Sequence, residues 1–297
     1  MKNGTCWLDT DGERIQAHGG CIINHGGVYY WYGENKALST RKGRVDFNGF
    51  SCYSSGDLNS WKNEGIVLKA VNECGHELNP GNVGERPKVL FNRKTGKFVM
   101  LFHLDAADYS YARVGVALAD NPLGPFVYET SWRPLGRESR DMFAFVDDDG
   151  SAYVVSSADM NSTTLICKLN DSYTAVSGES KAAFTGQFRE AHVILKEKGK
   201  YYHFSSGCTG WKPNSMLYAI SSLPLGDWKL YDNPCSGKDY RKTFYGQTAN
   251  AFSFKEQQYI MLDHWKPEDL GSSGYSFLPV YIDDDYVEIP WTEEFDP

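Results

Sequence analysis

The feature that most constrains this chain is a hairpin written five times. Cys21–Tyr32 (CIINHGGVYYWY), Lys88–Leu101 (KVLFNRKTGKFVML), Met142–Val155 (MFAFVDDDGSAYVV), Ala191–Phe204 (AHVILKEKGKYYHF) and Ala251–Leu262 (AFSFKEQQYIML) share one form. Each runs from an apolar strand through a polar turn into an aromatic or β-branched strand. Gly27, Gly96, Gly150 and Gly199 sit in four of the turns, and Gln257 takes the equivalent place in the fifth. The intervals are 69, 54, 49 and 58 residues in a chain of 297. Turns that end in an aromatic recur between hairpins: Asp57 to Trp61, Asn121 to Phe126 and Leu223 to Trp228. Each can close a small sheet. Sustained helical periodicity is scarce, so five such sheets predict an all-β, five-bladed β-propeller. The competing arrangement is a β-sandwich. No low-complexity linker divides the chain, and residues 1–297 are expected to form a single domain.

Composition narrows the function. The hydrophobic fraction of 41% supports a sizeable core. No apolar run reaches the roughly 18 residues needed to span a bilayer. A net charge of −8 argues against nucleic-acid binding, which leaves a basic footprint. The seven cysteines are widely spaced with no Cys-x-x-Cys pair, the pattern of buried thiols rather than a zinc module. Polar residues follow Met1 at once, with no apolar leader stretch. The expectation is a cytoplasmic protein as written, or a secreted or periplasmic one if a leader has been removed. It is expected to act as a monomer, without a membrane or nucleic-acid partner.

One polar residue recurs just ahead of each hairpin: His18, Glu85, Asp141, Glu190 and Gln247. These lie 9, 11, 9, 9 and 10 residues before the turn positions. Innermost strands line a propeller's axis, so the shared phase predicts convergence in one axial pocket. Local alternatives exist: Glu85 could pair with Arg86, Asp141 with Arg140 and Glu190 with Arg189, and His18 could be a structural histidine. Three carboxylates at a channel rim suit glycoside hydrolysis. One must stay protonated to serve the leaving oxygen, and like-charged neighbours and burial both raise its pKa. The chain has no HExxH, GxSxG or P-loop motif, which weakens metallohydrolase, esterase and nucleotide-hydrolase readings.

The residues resemble glycoside hydrolase family 43, and within it the exo-β-1,3-galactanase branch. The stretches that carry the resemblance are Ile15-Gln-Ala-His18-Gly-Gly20, Tyr30-Trp-Tyr-Gly-Glu34-Asn-Lys36, Glu85-Arg-Pro-Lys-Val89, Ser139-Arg-Asp141, Asp147-Asp-Asp-Gly150, Arg189-Glu190-Ala191, Ser206 to Asn214 and Gly246-Gln247. The resemblance implies a five-bladed propeller and an inverting hydrolase that releases galactose from β-1,3-galactan, an oligo- or polysaccharide substrate. It implies Glu190 as general acid and Asp141 as the residue that tunes it. Glu85 becomes a sugar-binding, water-positioning carboxylate. Most of the family has an Asp base in the first blade, where this chain has His18. Gln247 stands where the branch needs base work, and would orient the water. Glu34, Tyr109, Thr209, Trp211 and His18 are read as substrate contacts. No cofactor is required. Some relatives hold a calcium or sodium ion in the central channel, and no ligand set for one is readable here. The alternatives are a related exo-glycosidase, such as an α-L-arabinofuranosidase or β-galactofuranosidase, and a non-catalytic sugar-binding propeller.

Overall fold

The computed structural model describes residues 1–297, and nearly all of its regular structure is strand. The first blade holds β1 (His18–His25), β2 (Val28–Glu34), β3 (Gly49–Ser55) and β4 (Lys62–Lys69). The second holds β5 (Val83–Asn92), β6 (Lys97–Asp105), β7 (Arg113–Ala119) and β8 (Val127–Trp132). The third holds β9 (Met142–Val146), β10 (Ala152–Ala158), β11 (Thr163–Leu169) and β12 (Val176–Ala183). The fourth holds β13 (Arg189–Glu197), β14 (Lys200–Gly207), β15 (Leu217–Ser221) and β16 (Lys229–Tyr231). A short β17 (Cys235–Ser236) then precedes β18 (Gln247–Phe254), β19 (Gln257–His264), β20 (Gly274–Asp283) and β21 (Tyr286–Pro290) of the fifth. Each blade is an antiparallel meander, and β17 adds a parallel edge to β21. β1, β5, β9, β13 and β18 are innermost and adjoin one another around the axis. The architecture is a five-bladed β-propeller.

The five hairpins are the inner strand pairs, and Gly27, Gly96, Gly150 and Gly199 lie in their turns with positive φ. The fifth turn differs from expectation. Lys255 and Glu256 form it, with φ of 47° and 67°, and Gln257 already pairs with Phe254. Glu256 is therefore the counterpart of Gly27. A two-residue hairpin turn of type I′ needs positive φ at both central positions, and here it takes them without glycine.

Apolar faces of neighbouring blades pack into four buried clusters that follow the ring. The junction of blades five and one is the most aromatic. Trp31 is fully buried there, 4.7 Å from Tyr275 and 5.2 Å from Trp61 between ring centroids. Trp61, Phe126 and Trp228, the aromatics after the outer turns, all pack between sheets. The N-terminal segment closes the same junction. Asn3 N–H donates to Glu293 O at 2.9 Å, and Tyr275 N–H donates to Thr5 O at 3.0 Å. The segment covers edges that would otherwise be open.

Near the axis β1 and β2 approach more closely than side chains allow. A Cβ on Gly33 would lie 2.0 Å from the Ala17 carbonyl carbon, and one on Gly20 1.7 Å from Tyr32 O. Gly33→Ala should therefore lower stability by about 3 kcal/mol through backbone overpacking. Gly56, with nothing within 4 Å of its Cβ position, should tolerate alanine within about 0.5 kcal/mol. Denaturant unfolding of the two variants checks the contrast.

Candidate active site

The inner strands do not run straight into the pocket. β1, β5, β13 and β18 each carry a register break beside their axial polar residue, between His18 and Cys21, Glu85 and Lys88, Glu190 and Val193, and Thr248 and Asn250. Bulges of this kind re-aim a side chain. In three of them the residue after the polar one is left-handed: Gly19 at φ 57°, Arg86 at 50° and Ala191 at 55°. Such a backbone costs about 1–3 kcal/mol at a non-glycine residue. The freed amide is caught each time by a carboxylate of the preceding blade. Asp263 Oδ2 accepts Gly19 N–H at 2.9 Å, Glu34 Oε1 accepts Arg86 N–H at 2.9 Å, and Asp141 Oδ2 accepts Ala191 N–H at 3.0 Å.

These strand ends surround a cavity of about 400 Å³, bordered by Glu85, Asp141, Glu190, Gln247, Tyr109 and Trp211 among others. That is the size of a small-molecule site. Its carboxylates differ in charge state. Burial, and then the neighbouring Asp141, push the Glu190 carboxyl up to about 7. Burial also presses on Glu85, but His103, Lys36 and Tyr109 outweigh it and hold its pKa at about 2. Tyr109 Oη donates to Glu85 Oε1 at 2.9 Å. His103 Nδ1 lies 3.3 Å from Glu85 Oε2, and its Nε2 lies 2.9 Å from Asp105 Oδ2. Burial favours neutral His103, but the two carboxylates win and raise it to about 9. The site thus keeps a fixed anion at Glu85 and a protonatable acid at Glu190.

Arg86 joins the remaining groups. Its Nε sits 2.9 Å from Asp141 Oδ2, and its Nη2 donates to Gln247 Oε1 at 2.8 Å. Trp265 Nε1 donates to the same amide oxygen at 3.1 Å. The orientation of Gln247 follows, because the flipped amide would set its N–H groups against both donors. Its Nε2 faces the acid and donates to Glu190 Oε1 at 3.0 Å.

The chain thus brings together Glu85, Asp141, Glu190 and Gln247, which lie far apart in sequence. None of the local ion pairs forms. Arg86 reaches Asp141 from its left-handed backbone, Arg140 reaches Glu138, and Arg189 donates to Ser205. Tyr109 and Trp211 border the cavity. Glu34 does too, with one oxygen on the Arg86 amide and the other 2.7 Å from Lys36 Nζ. Two substrate-contact expectations fail. His18 is wholly buried, stacked on Tyr275 at 4.8 Å with its Nδ1 3.4 Å from Asp263 Oδ1. Thr209 folds its own turn, donating to Lys212 O and accepting from Asn214 Nδ2, and does not border the cavity. Sequence reasoning missed Arg86, His103 and Trp265. The His103-x-Asp105 spacing was a usable signal, since residues two apart share a strand face.

Glu85, His103 and Asp141 place potential metal-ligand atoms within 4.8 Å of one another. They do not suit a resident ion. His103 holds its proton to about 9, Glu85 accepts Tyr109, and Asp141 Oδ2 is taken by Arg86 and Ala191.

Comparison with known proteins agrees with this geometry. Residues 20–269 match the family described as glycosyl hydrolases family 43. The β-1,3-galactosidase BT3683, solved with galactodeoxynojirimycin, is 38% identical over the whole of both chains, with a TM-score of 0.94. The exo-β-1,3-galactanase of Phanerochaete chrysosporium, solved with galactose, is 35% identical with a TM-score of 0.90, over 97% of this chain and 66% of that one. The curated arabinoxylan arabinofuranohydrolase of Paenibacillus polymyxa is 24% identical over 81% of this chain, which spans only 43% of that protein.

The two glutamates should titrate far apart. With carboxyl-labelled glutamate and carbon NMR, Glu190 should change state at about 7, while Glu85 stays ionised down to about 2. Asp141→Asn removes the like charge and should move the Glu190 midpoint down. A Glu190 midpoint in the ordinary carboxylate range would contradict this electrostatic account.

Proposed function

The chain belongs to glycosyl hydrolases family 43, and we propose that it is an inverting exo-hydrolase releasing galactose from β-1,3-galactan. The observation that carries the reading is the contrast within one pocket between Glu190, raised to about 7, and Glu85, held at about 2. Its likeness to a β-1,3-galactosidase and an exo-β-1,3-galactanase supports the sugar and linkage.

Glu190 acts as general acid. Below about pH 7 it carries the proton that the departing glycosidic oxygen needs. Asp141 sustains that state by its like charge and holds the Ala191 amide beside the acid. Glu85 stays anionic and binds sugar hydroxyls and the attacking water. Gln247 orients that water. Its oxygen accepts Arg86 and Trp265, and its Nε2 donates to Glu190 and Ser206, so one of the Nε2 bonds gives way to the water. An ionised Glu85 then shares the proton the water gives up. Water attack opposite the leaving group inverts the anomeric centre.

A panel of nitrophenyl glycosides with β-1,3-galactobiose tests the substrate. Release of galactose from the disaccharide is expected. Turnover of arabinofuranosides or galactofuranosides alone would favour the related exo-glycosidase, and binding without turnover the non-catalytic propeller. Proton NMR should show α-galactose as the first product, and a β product would refute inversion.

Two variants test the roles. Glu190→Gln should lose at least about 10²-fold in kcat on β-1,3-galactobiose and less on an activated aryl galactoside. Activity should fall as pH rises through about 7, the range in which Glu190 loses its proton. Gln247→Glu replaces the N–H that faces Glu190 with a second anion. It should lower kcat at neutral pH and move the alkaline limb upward. Undiminished activity in Gln247→Glu would assign base work elsewhere.

A further inference from the structure

The propeller axis contains a second cavity, about 1130 Å³, opening at the inner turns around Gly26 and Gly150. Residues of all five inner strands border it, including Ile22, Lys88, Phe143, Ile194 and Ala251. Lys88 is the anomaly among them. It is a full-length cationic side chain at 1% exposure, and no carboxylate lies against its ammonium. Main-chain carbonyls surround it instead: Gly19 O at 2.7 Å, Gly20 O at 3.1 Å, Pro87 O at 3.3 Å and Arg86 O at 3.4 Å.

A cage of neutral carbonyl oxygens is a cation site, the kind that replaces the hydration shell of a monovalent ion. A divalent ion would call for carboxylates to offset its charge. The residues present therefore do not fit a calcium ion in this channel, and the centre of the cage is already filled by the chain itself.

We propose that the Lys88 ammonium is the axial cation of this propeller and that, from its carbonyl cage, it positions Arg86 for the reaction. The four carbonyls belong to the two segments that turn left-handed beside the pocket, Gly19–Gly20 and Arg86–Pro87. Tying them together fixes the backbone from which Arg86 reaches Asp141 and Gln247. Burial pulls the Lys88 pKa down to about 8, and the group remains charged at neutral pH. Lys88 touches no substrate. It is a positioning residue whose effect on turnover rests on the hydrolase reading, whereas its occupancy of the cage does not.

The test separates the two. Nitrogen NMR of the wild-type lysine side chains should show one exchange-protected ammonium at neutral pH. That signal should be absent in Lys88→Met, and metal analysis of the purified protein should find no stoichiometric ion. Lys88→Met should lower Tm by about 5 °C, because the carbonyls lose their donor. It should lower kcat on galactobiose at least about 10-fold with little change in KM. Lys88→Ala empties the cage toward the open cavity, and added propylammonium or potassium should restore Tm and part of kcat. Propanol, the same size without charge, should restore neither. A stoichiometric metal, the absence of a protected ammonium, or equal rescue by propanol would overturn the axial-cation assignment. Wild-type kcat in Lys88→Met, with the ammonium signal confirmed in the parent, would overturn the positioning role alone. If galactobiose proves not to be a substrate, the NMR, metal and Tm readouts still decide the cage.

Discussion

The geometry of this site depends on one repeated hydrogen bond, from a left-handed backbone amide to a carboxylate of the blade before it. Asp263 holds Gly19, Glu34 holds Arg86 and Asp141 holds Ala191. Each bond stabilises a backbone shape that a strand would otherwise avoid, and each shape re-aims the residue that precedes it. Charge-assisted bonds to backbone N–H groups are among the stronger ones available to a fold. Here the acceptors are largely buried, so water competes little for them. A position in the pocket is therefore set by two blades at once. Asp141 shows how closely structure and chemistry are joined. One of its oxygens fixes the backbone next to Glu190, while its charge raises the pKa of that same glutamate.

The electrostatics follow from which partners reach which carboxylate. Glu85 and Glu190 are both part-buried glutamates in one cavity, and burial alone would raise both. His103 separates their behaviour. It is a cation because Asp105 backs it, and Asp105 is in turn held by the amides of Ala106, Tyr111 and Ala112. Glu190 has no such cation in direct contact. Its nearest polar partner is the amide of Gln247. One pocket thus holds an acid and a permanent anion side by side, through neighbours rather than through residue type.

The repeat was legible because its signals are local. Alternating hydrophobicity and turn residues mark the five hairpins, and the phase of Glu85, Asp141, Glu190 and Gln247 within them marks a level along the axis. Phase does not give direction. His18 shares that level, yet the bulge at Gly19 turns it against Tyr275 and Asp263 instead of into the cavity. Arg86 was illegible for the opposite reason. In sequence it sits beside Glu85 and looks like its partner, and only the left-handed turn sends it across to two other blades. Thr209 belongs to a loop whose internal bonds no pattern in the chain announces. The fifth turn misled because Lys255 and Glu256 adopt a conformation usually signalled by glycine.

The amide–carboxylate bond occurs at three blade junctions: five to one, one to two, and three to four. The seams between blades two and three and between blades four and five lack it. Apolar packing holds those two seams instead, one cluster joining blades two and three and another running from blade three through blade five. The functional groups themselves span them. Arg86 crosses one seam to Asp141, and Gln247 crosses the other to Glu190. A ligand seated among these four residues would touch both pairs of blades that no amide–carboxylate bond joins.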